Sequence, residues 1–217
     1  MQGFDSHITL SGNDLLYYDN AAFVAQGDGW FEHLYRQLHW QQDTLSVAGR
    51  RIAIPRLQAW YGEHAYRYSG MTLAARPMPN LLQAILQQVQ TLSGFQFNAV
   101  LANLYRNGRD SVGWHSDDEP ELGKAPVIAS LSLGAVRRFS FRPRYVTPGQ
   151  RRQVQHLLLE HGSLLVMPPG MQQRWQHALH KEAGVDKPRI NLTFRYIIQN
   201  ATGAWQQAPE NNNRGKE

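Results

Sequence analysis

The segment GWHSDDEPELG, residues 113–123, places a histidine and a carboxylate two positions apart, at His115 and Asp117. In a β-strand, side chains at i and i+2 point to the same face. An imidazole and a carboxylate on one face form half of a metal site or half of an acid–base pair. The spacing is also found where an aspartate caps a turn beside a surface histidine, and taken alone it favours that interpretation.

A complete metal site requires a second histidine from a distant part of the chain. The facial triad of two histidines and one carboxylate binds Fe(II) and leaves coordination positions for a co-substrate and dioxygen. Three later histidines lie near predicted strand ends or turns, and they are His161, His177 and His180. Residue type alone does not separate a ligand from a structural histidine among these three.

The segment RINLTFRYI, which begins at residue 189, alternates polar and apolar side chains and so predicts a two-faced strand. The polar face carries Arg189, Asn191, Thr193 and Arg195. This face either lies in solvent, as in many sandwich strands, or buries two guanidiniums that bind a dicarboxylate, because arginine binds carboxylates bidentately. Asn103 and Tyr105 offer an amide and a phenol at the same i, i+2 spacing on another predicted strand.

The elements that must position these side chains are two helices followed by short strands. Apolar periodicity predicts one helix over residues 29–40 with Asp28 as its N-cap, and a stronger one from Pro79-Asn80 to a stop at Gly94. From Phe95 onward, short apolar strands separated by turns are typical of antiparallel sheets packed as a sandwich or jelly roll. Upstream, TLSVAGRRIAIPR predicts a hairpin that turns at Ala48-Gly49.

The length and composition of the chain limit the number of domains and exclude several kinds of site. A chain of 217 residues suits one domain with a substantial core, and the absence of cysteine excludes disulfides, thiolate zinc sites and cysteine nucleophiles. The N-terminal segment does not have a secretory-signal pattern, and no apolar run reaches the length of a membrane span. The net charge is +5 and arginines occur in pairs, which indicates either phosphate contacts or solvated loops.

Taken together and in this order, these segments resemble the AlkB family of Fe(II)/2-oxoglutarate-dependent dioxygenases, which are oxidative dealkylases of nucleic acids. The similarity covers roughly residues 41–198. It is carried by the N-x-Y strand, the HxDDE segment at 115–119, PVIASLSLGAVRRFSFR, HGSLLVMPPGMQQRWQHAL and R-x-N-L-T-F-R at 189–195. The match is closest to the branch of animal enzymes that repair duplex DNA.

The resemblance implies a role for each matching residue. The implied iron ligands are His115, Asp117 and His177. The implied 2-oxoglutarate contacts are Arg189 and Arg195, with help from Asn103, Tyr105, Asn191 and Thr193. Tyr66 and Tyr68 would contact the damaged base, although ordinary sheet packing is the alternative for both, and Glu119 would lie near the exocyclic nitrogen of the base. His161 and His180 match no functional position and are expected to be structural.

The fold implied by the resemblance is α+β with a mainly β core, a double-stranded β-helix (jelly roll) with N-terminal helices and a nucleotide-recognition lid. We expect a single dioxygenase domain over residues 1–200, in which the lid covers about 41–80 and the jelly-roll core about 95–200. Residues 201–217 are expected to form a disordered tail.

The implied activity is oxidative demethylation of N-alkylated bases in DNA, such as 1-methyladenine and 3-methylcytosine. Fe(II) is the cofactor, 2-oxoglutarate and O₂ are co-substrates, and formaldehyde, succinate and CO₂ are products. Alternatives are an RNA demethylase, another 2-oxoglutarate-dependent hydroxylase such as one acting on protein, and an inert jelly roll that only binds nucleic acid. We expect a monomer with nucleic acid as its partner and no membrane contact, located in the cytoplasm, or the nucleus of a eukaryote.

One position departs from the duplex-repairing relatives, which insert an aromatic finger into the gap left by the extruded base. The corresponding turn here is VAGRR, with Ala48 at its tip. A methyl group cannot replace a stacked base as a wedge does. We therefore expect weaker invasion of duplexes and more use of single strands, with Arg50 and Arg51 contacting phosphates.

Overall fold

The computed structural model describes residues 6–10, 15–19, 21–47, 49–68, 71–149 and 151–198. Its helices are α1 (Val24–Gln37), α2 (Asn80–Ser93) and α3 (Met171–Arg174), with a 3₁₀ turn at Pro120–Leu122. Its strands are β1 (Ser6–Thr9), β2 (Leu15–Asp19), β3 (Thr44–Val47), β4 (Arg50–Ala53), β5 (Leu57–Gly62), β6 (Tyr66–Tyr68), β7 (Met71–Leu73), β8 (Ala99–Tyr105), β9 (Val112–His115), β10 (Ile128–Gly134), β11 (Arg137–Pro143), β12 (Gln155–Leu159), β13 (Leu164–Met167), β14 (Trp175–Leu179) and β15 (Arg189–Arg195). None of the helices in these ranges combines the length and apolarity that crossing a bilayer requires.

The second predicted helix is confirmed and the start of the first was wrong. α2 begins at Asn80 and ends at Ser93, and it is followed by Gly94, whose φ of 74° is the left-handed conformation that glycine adopts readily. α1 begins at Val24, so Asp28 lies inside the helix and is not its N-cap. The entry to α1 is held instead by a long-range backbone bond, from the Phe23 N–H to the Gly162 carbonyl oxygen at 2.9 Å.

Two antiparallel sheets form the jelly roll that the sequence predicted. One has the strand order β1-β2-β13-β10-β15-β8-β5, and the other has the order β12-β11-β14-β9. The strand pairs within both sheets are antiparallel. The hairpins β3-β4 and β6-β7 stand outside the two sheets.

The central strands of the larger sheet carry a different side-chain set on each face. In β8, Val100, Ala102 and Leu104 pack in one apolar cluster with Leu82 and Ile85 of α2. The alternate residues of β8 turn toward the smaller sheet, where a second apolar cluster lies. Because β8 pairs with β15 in register from Ala99↔Arg195 to Tyr105↔Arg189, the two strands present their polar residues side by side between the sheets.

The boundaries of the lid and the core stay predictions, but the larger sheet also contains strands from upstream of the expected core. The expected lid contains both small hairpins, yet β5 lies between them and pairs with β8 from Leu57↔Leu104 to Gly62↔Ala99. The jelly-roll sheet therefore includes β1, β2 and β5, all upstream of residue 95. The expected tail at 201–217, Ala48 and the side chain of Tyr68 lie outside the described part of the chain.

Candidate active site

Three side chains with metal-ligating atoms meet between the sheets. β9 ends at His115, which pairs directly with His177 of β14, and the two ring centroids are 4.3 Å apart. Asp117 lies two residues beyond the end of β9, so strand alternation does not explain its position. The chain nevertheless brings one ligand atom from each of these three residues within 4.8 Å of the others.

The protonation states of the three groups suit a divalent cation. The His115 Nδ1–H donates to the Gly113 carbonyl oxygen at 2.8 Å, which leaves the lone pair on Nε2. Burial lowers the pKa of His115, and burial together with the charge of His115 lowers that of His177 to about 3. Burial opposes the ionisation of Asp117, but Arg195 and the two histidines outweigh it and hold the carboxyl pKa well below its usual range. Two neutral imidazoles and one carboxylate therefore face each other at neutral pH.

A partly enclosed cavity lies beside the three side chains. Besides the three, its lining includes Asn103, Tyr105, Asn191, Thr193 and Arg195. Two imidazoles and a carboxylate on one side of a polar cavity fit the facial triad of Fe(II), which keeps coordination positions for other ligands. The residues present therefore fit an iron with a small anionic co-substrate.

The polar face of β15 is buried, which excludes the interpretation that this face lies in solvent. All seven residues of the strand are buried, including Arg189 and Arg195 at 2% exposure each. The Arg195 Nη2 donates to Asp117 Oδ1 at 2.8 Å, and although burial lowers the pKa of Arg195, the carboxylate raises it further. Burial of this face removes both guanidiniums from water, so each needs hydrogen bonds or an anion to offset the lost hydration.

Arg189 occupies the other end of this face in different surroundings. Its Nη2 donates to the Ser132 hydroxyl at 2.9 Å, and its guanidinium lies 5.4 Å from the centroid of the Tyr105 ring. Burial lowers its pKa to about 10. Within the described ranges no carboxylate pairs with Arg189, and its buried Nε has no hydrogen-bond acceptor. A buried cation in that state is suited to receiving an anion from outside the chain.

The remaining polar residues of β15 form a hydrogen-bonded row. The Asn191 Nδ2 donates to the Ser130 hydroxyl at 2.8 Å and to the Leu131 carbonyl oxygen at 3.1 Å. Thr193 donates its hydroxyl proton to Asn191 Oδ1 at 3.1 Å. These bonds fix the side chains that line the cavity between the two arginines.

Arg56 is a cavity residue that sequence reasoning missed. It is 5% exposed, and its Nε donates to Asn103 Oδ1 at 2.9 Å, where the Gln58 Nε2 donates as well at 3.0 Å. A signal is present in the sequence, because Arg56 lies directly before the largely apolar strand β5 and Gln58, two residues on, lies near its start.

The predicted base-binding residues separate into two groups. Tyr66 is fully buried against Trp60, with ring centroids 4.6 Å apart, and its hydroxyl donates to Glu119 at 2.8 Å. Burial and then the charge of Asp117 raise the pKa of Glu119 to about 7. The burial of Tyr66 against Trp60 fits the alternative of ordinary sheet packing. Neither Tyr66 nor Glu119 is among the residues that line the cavity, and Arg50 and Arg51 are exposed on β4 and do not line it either.

The two other candidate histidines lie apart from the three-residue group. His161 accepts a hydrogen bond at Nδ1 from the Gly134 N–H at 2.8 Å, beneath α1. The ring of His180 meets the ring of Trp114 edge to face at 5.0 Å. Both contacts are structural in kind.

Comparisons with known proteins agree with this geometry. The model of the 2OG-Fe(II) oxygenase superfamily matches residues 14–195. The chain is 44% identical over 187 residues to "Alpha-ketoglutarate-dependent dioxygenase alkB homolog 3" of Bos taurus, covering 83% of this chain and 65% of the relative, so it spans about two thirds of that relative's length. It is 39% identical over 201 residues to "DNA oxidative demethylase ALKBH2" of Homo sapiens, covering 88% and 76%. The solved structure of OsALKBH1 shares the fold, with a TM-score of 0.54 at 17% identity over 83% of this chain and 97% of that one.

Proposed function

This chain belongs to the AlkB family of the 2OG-Fe(II) oxygenase superfamily, and we propose that it is an oxidative demethylase of N-alkylated bases in DNA. The observation that carries the proposal is the convergence of His115, Asp117 and His177 on one cavity that Asn191, Thr193 and Arg195 of β15 also line. An iron site and a dicarboxylate site that share a cavity are what a 2-oxoglutarate-dependent oxygenase requires.

The metal and the co-substrate have separate sets of contacts in this proposal. His115, Asp117 and His177 would hold Fe(II), and Arg189 and Arg195 would hold the carboxylates of 2-oxoglutarate. The amide, phenol and hydroxyl groups that would assist them belong to Asn103, Tyr105, Asn191 and Thr193. When bound, iron with 2-oxoglutarate and O₂ supplies the oxidation of an N-methyl carbon, with formaldehyde, succinate and CO₂ as products.

The protein side chains would prepare this chemistry in three ways. The low pKa values of the histidines keep their lone pairs available at neutral pH, so a metal does not compete with protons. The bond from Arg195 to Asp117 keeps the carboxylate ionised. The enclosing sheets exclude water from the region where the carboxylates of the co-substrate would lie.

The substrate class is supported by the charge of the chain and by the names of its relatives. A methylated base such as 1-methyladenine or 3-methylcytosine carries positive charge and pairs poorly, so it is extruded at low cost. In this proposal the Glu119 carboxyl group, which accepts a 2.8 Å hydrogen bond from Tyr66, would lie near the exocyclic nitrogen of such a base. Tyr66, buried against Trp60, would act by holding Glu119. The net charge of +5 favours a polyanionic partner, and one relative is named as a DNA enzyme. The monomeric state and the cellular location stay predictions.

The decisive experiment follows a single lesion through one reaction. Anaerobic protein is loaded with Fe(II) and 2-oxoglutarate, a 1-methyladenine oligonucleotide is added, and oxygen is admitted. Mass spectrometry is expected to show a loss of about 14 Da per lesion, matched by succinate formation. His177→Ala is the control and should give neither product. An intact lesion with no succinate from the wild-type protein would contradict the proposal.

A further inference from the structure

Three consecutive residues at 116–118 are connected to one other segment of the chain, two of them directly and Asp118 through Arg144. We call residues 116–118 the ligand loop and residues 172–175 the support segment. The ligand loop follows the end of β9, so no strand pairing fixes it. The support segment comprises most of α3 and the first residue of β14, and it leads two residues later to His177.

The central contact is made by Gln172, which is 1% exposed. Its Oε1 accepts a hydrogen bond from the backbone N–H of Asp117 at 3.0 Å. Its Nε2 donates to the sulfur of Met167 at 3.5 Å, which fixes the orientation of the amide. The glutamine thus presents an oxygen to the backbone of a candidate metal ligand without touching the ligand's carboxylate.

Of the residues on either side of Asp117, Ser116 contacts the support segment directly and Asp118 is connected to it through Arg144. The Ser116 hydroxyl donates to the Trp175 carbonyl oxygen at 2.8 Å. The Asp118 carboxylate pairs with Arg144 Nη1 at 2.6 Å. Arg144 in turn donates from Nη1 to the Gln172 carbonyl oxygen at 3.2 Å and from its backbone N–H to the Arg174 carbonyl oxygen at 2.7 Å.

We infer that Gln172 is a positioning residue for Asp117, and that the contacts of the ligand loop with the support segment set the spacing between Asp117 and His177 before a metal binds. The inference rests on the proposed function, because it takes Asp117 and His177 as metal ligands. Without these contacts, rotation of the backbone at 116–118, which no strand pairing holds, would carry the Asp117 carboxylate away from the histidines. Side chains that orient metal ligands typically change metal affinity by about 10-fold to 100-fold when they are removed.

The test measures Mn(II) binding to the metal-free protein, by the electron paramagnetic resonance of unbound Mn(II). Gln172→Met keeps the side-chain length and removes the acceptor, and it is expected to weaken Mn(II) binding by about 10-fold or more. Gln172→Glu keeps an acceptor oxygen and should bind within about threefold of the wild-type affinity. The matched control is Gln173→Met, because the neighbouring Gln173 is exposed and donates to the Lys124 carbonyl oxygen instead.

The outcomes distinguish a failure of this inference from a failure of the proposed function. Wild-type protein that binds no Mn(II) would overturn the proposed metal site itself. Wild-type protein that binds Mn(II), with a folded Gln172→Met variant of equal affinity, would overturn the positioning role alone. Should Gln172→Met fail to fold by circular dichroism, the double variant Ser116→Ala, Arg144→Gln takes its place. A loss of about threefold or more then supports the inference, and an unchanged affinity overturns it.

Discussion

The two buried arginines of β15 show how one residue type serves two purposes. Arg195 has a carboxylate partner within the protein, because its Nη2 lies 2.8 Å from Asp117. Arg189 has a hydroxyl and an aromatic ring around it, and burial depresses its pKa to about 10. A charge held in that environment is costly for the protein alone and becomes favourable when a carboxylate arrives.

Arg189→Gln separates co-substrate binding from metal binding. We expect the KM for 2-oxoglutarate to rise by about 10-fold or more, which corresponds to the loss of a hydrogen bond between charged groups. The affinity for Mn(II) should stay unchanged, because Arg189 lies at the opposite end of β15 from Arg195, the residue that contacts Asp117. Steady-state kinetics and Mn(II) titration check the two expectations, and an unaltered KM would contradict the role of Arg189.

At the scale of elements, the site depends on strands that are buried on both faces. β8 and β15 point apolar side chains at the helices and polar ones at the cavity. A slip of one residue in their pairing would exchange the faces and bury the polar row beneath α2. The apolar contact with α2 therefore maintains the register on which the site relies, although α2 contributes no cavity residue.

Ile85→Ala tests the contribution of α2. Ile85 is fully buried, so its truncation should lower the free energy of unfolding by about 2–5 kcal/mol. The KM for 2-oxoglutarate should not change in the folded variant, because Ile85 packs on the opposite face of the sheet. Urea denaturation and kinetics provide the measurements, with exposed Gln88→Ala as the control for an ordinary change on α2.

Asp110 stabilises the turn between β8 and β9 by hydrogen bonds. This buried carboxylate accepts hydrogen bonds from the backbone N–H of Arg106 at 2.9 Å and from its guanidinium at 2.8 Å. Burial opposes the ionisation of Asp110, but the bonds from Arg106 outweigh it and lower the carboxyl pKa. The turn therefore directs the chain from Tyr105 toward His115 with an ionised aspartate at its base.

Asp110→Asn should show a pH-dependent loss of stability. A carboxyl pKa that is lower in the folded state stabilises the fold above the unfolded pKa of about 4, and this stabilisation is lost as the pH falls through the folded value. At pH 7 the variant should be less stable by about 1–3 kcal/mol, and the difference should shrink toward acidic pH. Urea unfolding of both proteins between neutral and acidic pH measures this, and a difference independent of pH would refute it.

At the scale of the whole molecule, positive charge and the position of the hairpins bear on the choice of nucleic acid. β3 and β4 form a separate hairpin whose second strand is exposed along its length, including Arg50 and Arg51. The net charge of +5 favours contact with phosphates at any sequence. A hairpin with arginines and no large apolar residue at the tip would grip a strand without wedging a duplex apart.

The sequence of this hairpin predicts whether the enzyme prefers single-stranded or duplex DNA. On matched oligonucleotides that contain 1-methyladenine, we expect faster repair of single strands than of duplexes. Ala48→Phe should raise the rate on duplexes selectively, because an aromatic ring can fill the gap left by an extruded base. Single-turnover rates on both substrates test this, with Ala53→Phe at the other end of β4 as the control. A strong duplex preference of the wild-type protein would count against the idea.

Local sequence was sufficient for the periodic features. Alternation in residues 189–195 predicted a two-faced strand, and the apolar spacing after Pro79 predicted α2 to its glycine stop. These features depend on residues within a few positions of each other, so the local sequence is enough to predict them. The resemblance to the AlkB family added the choice of His177 among three histidines.

Only the tertiary structure decided which of these features meet. The pairing of β14 with β9 places His177 against His115. Asp117 lies after the end of β9, so its position depends on a contact with Gln172, which is distant in the sequence, and not on the alternation of side chains along a strand. Burial of the polar face of β15, the presence of Arg56 in the cavity and the insertion of β5 into the larger sheet all depend on what packs across from each strand. Such contacts join residues far apart in the chain, and their energies arise only when the sheets assemble.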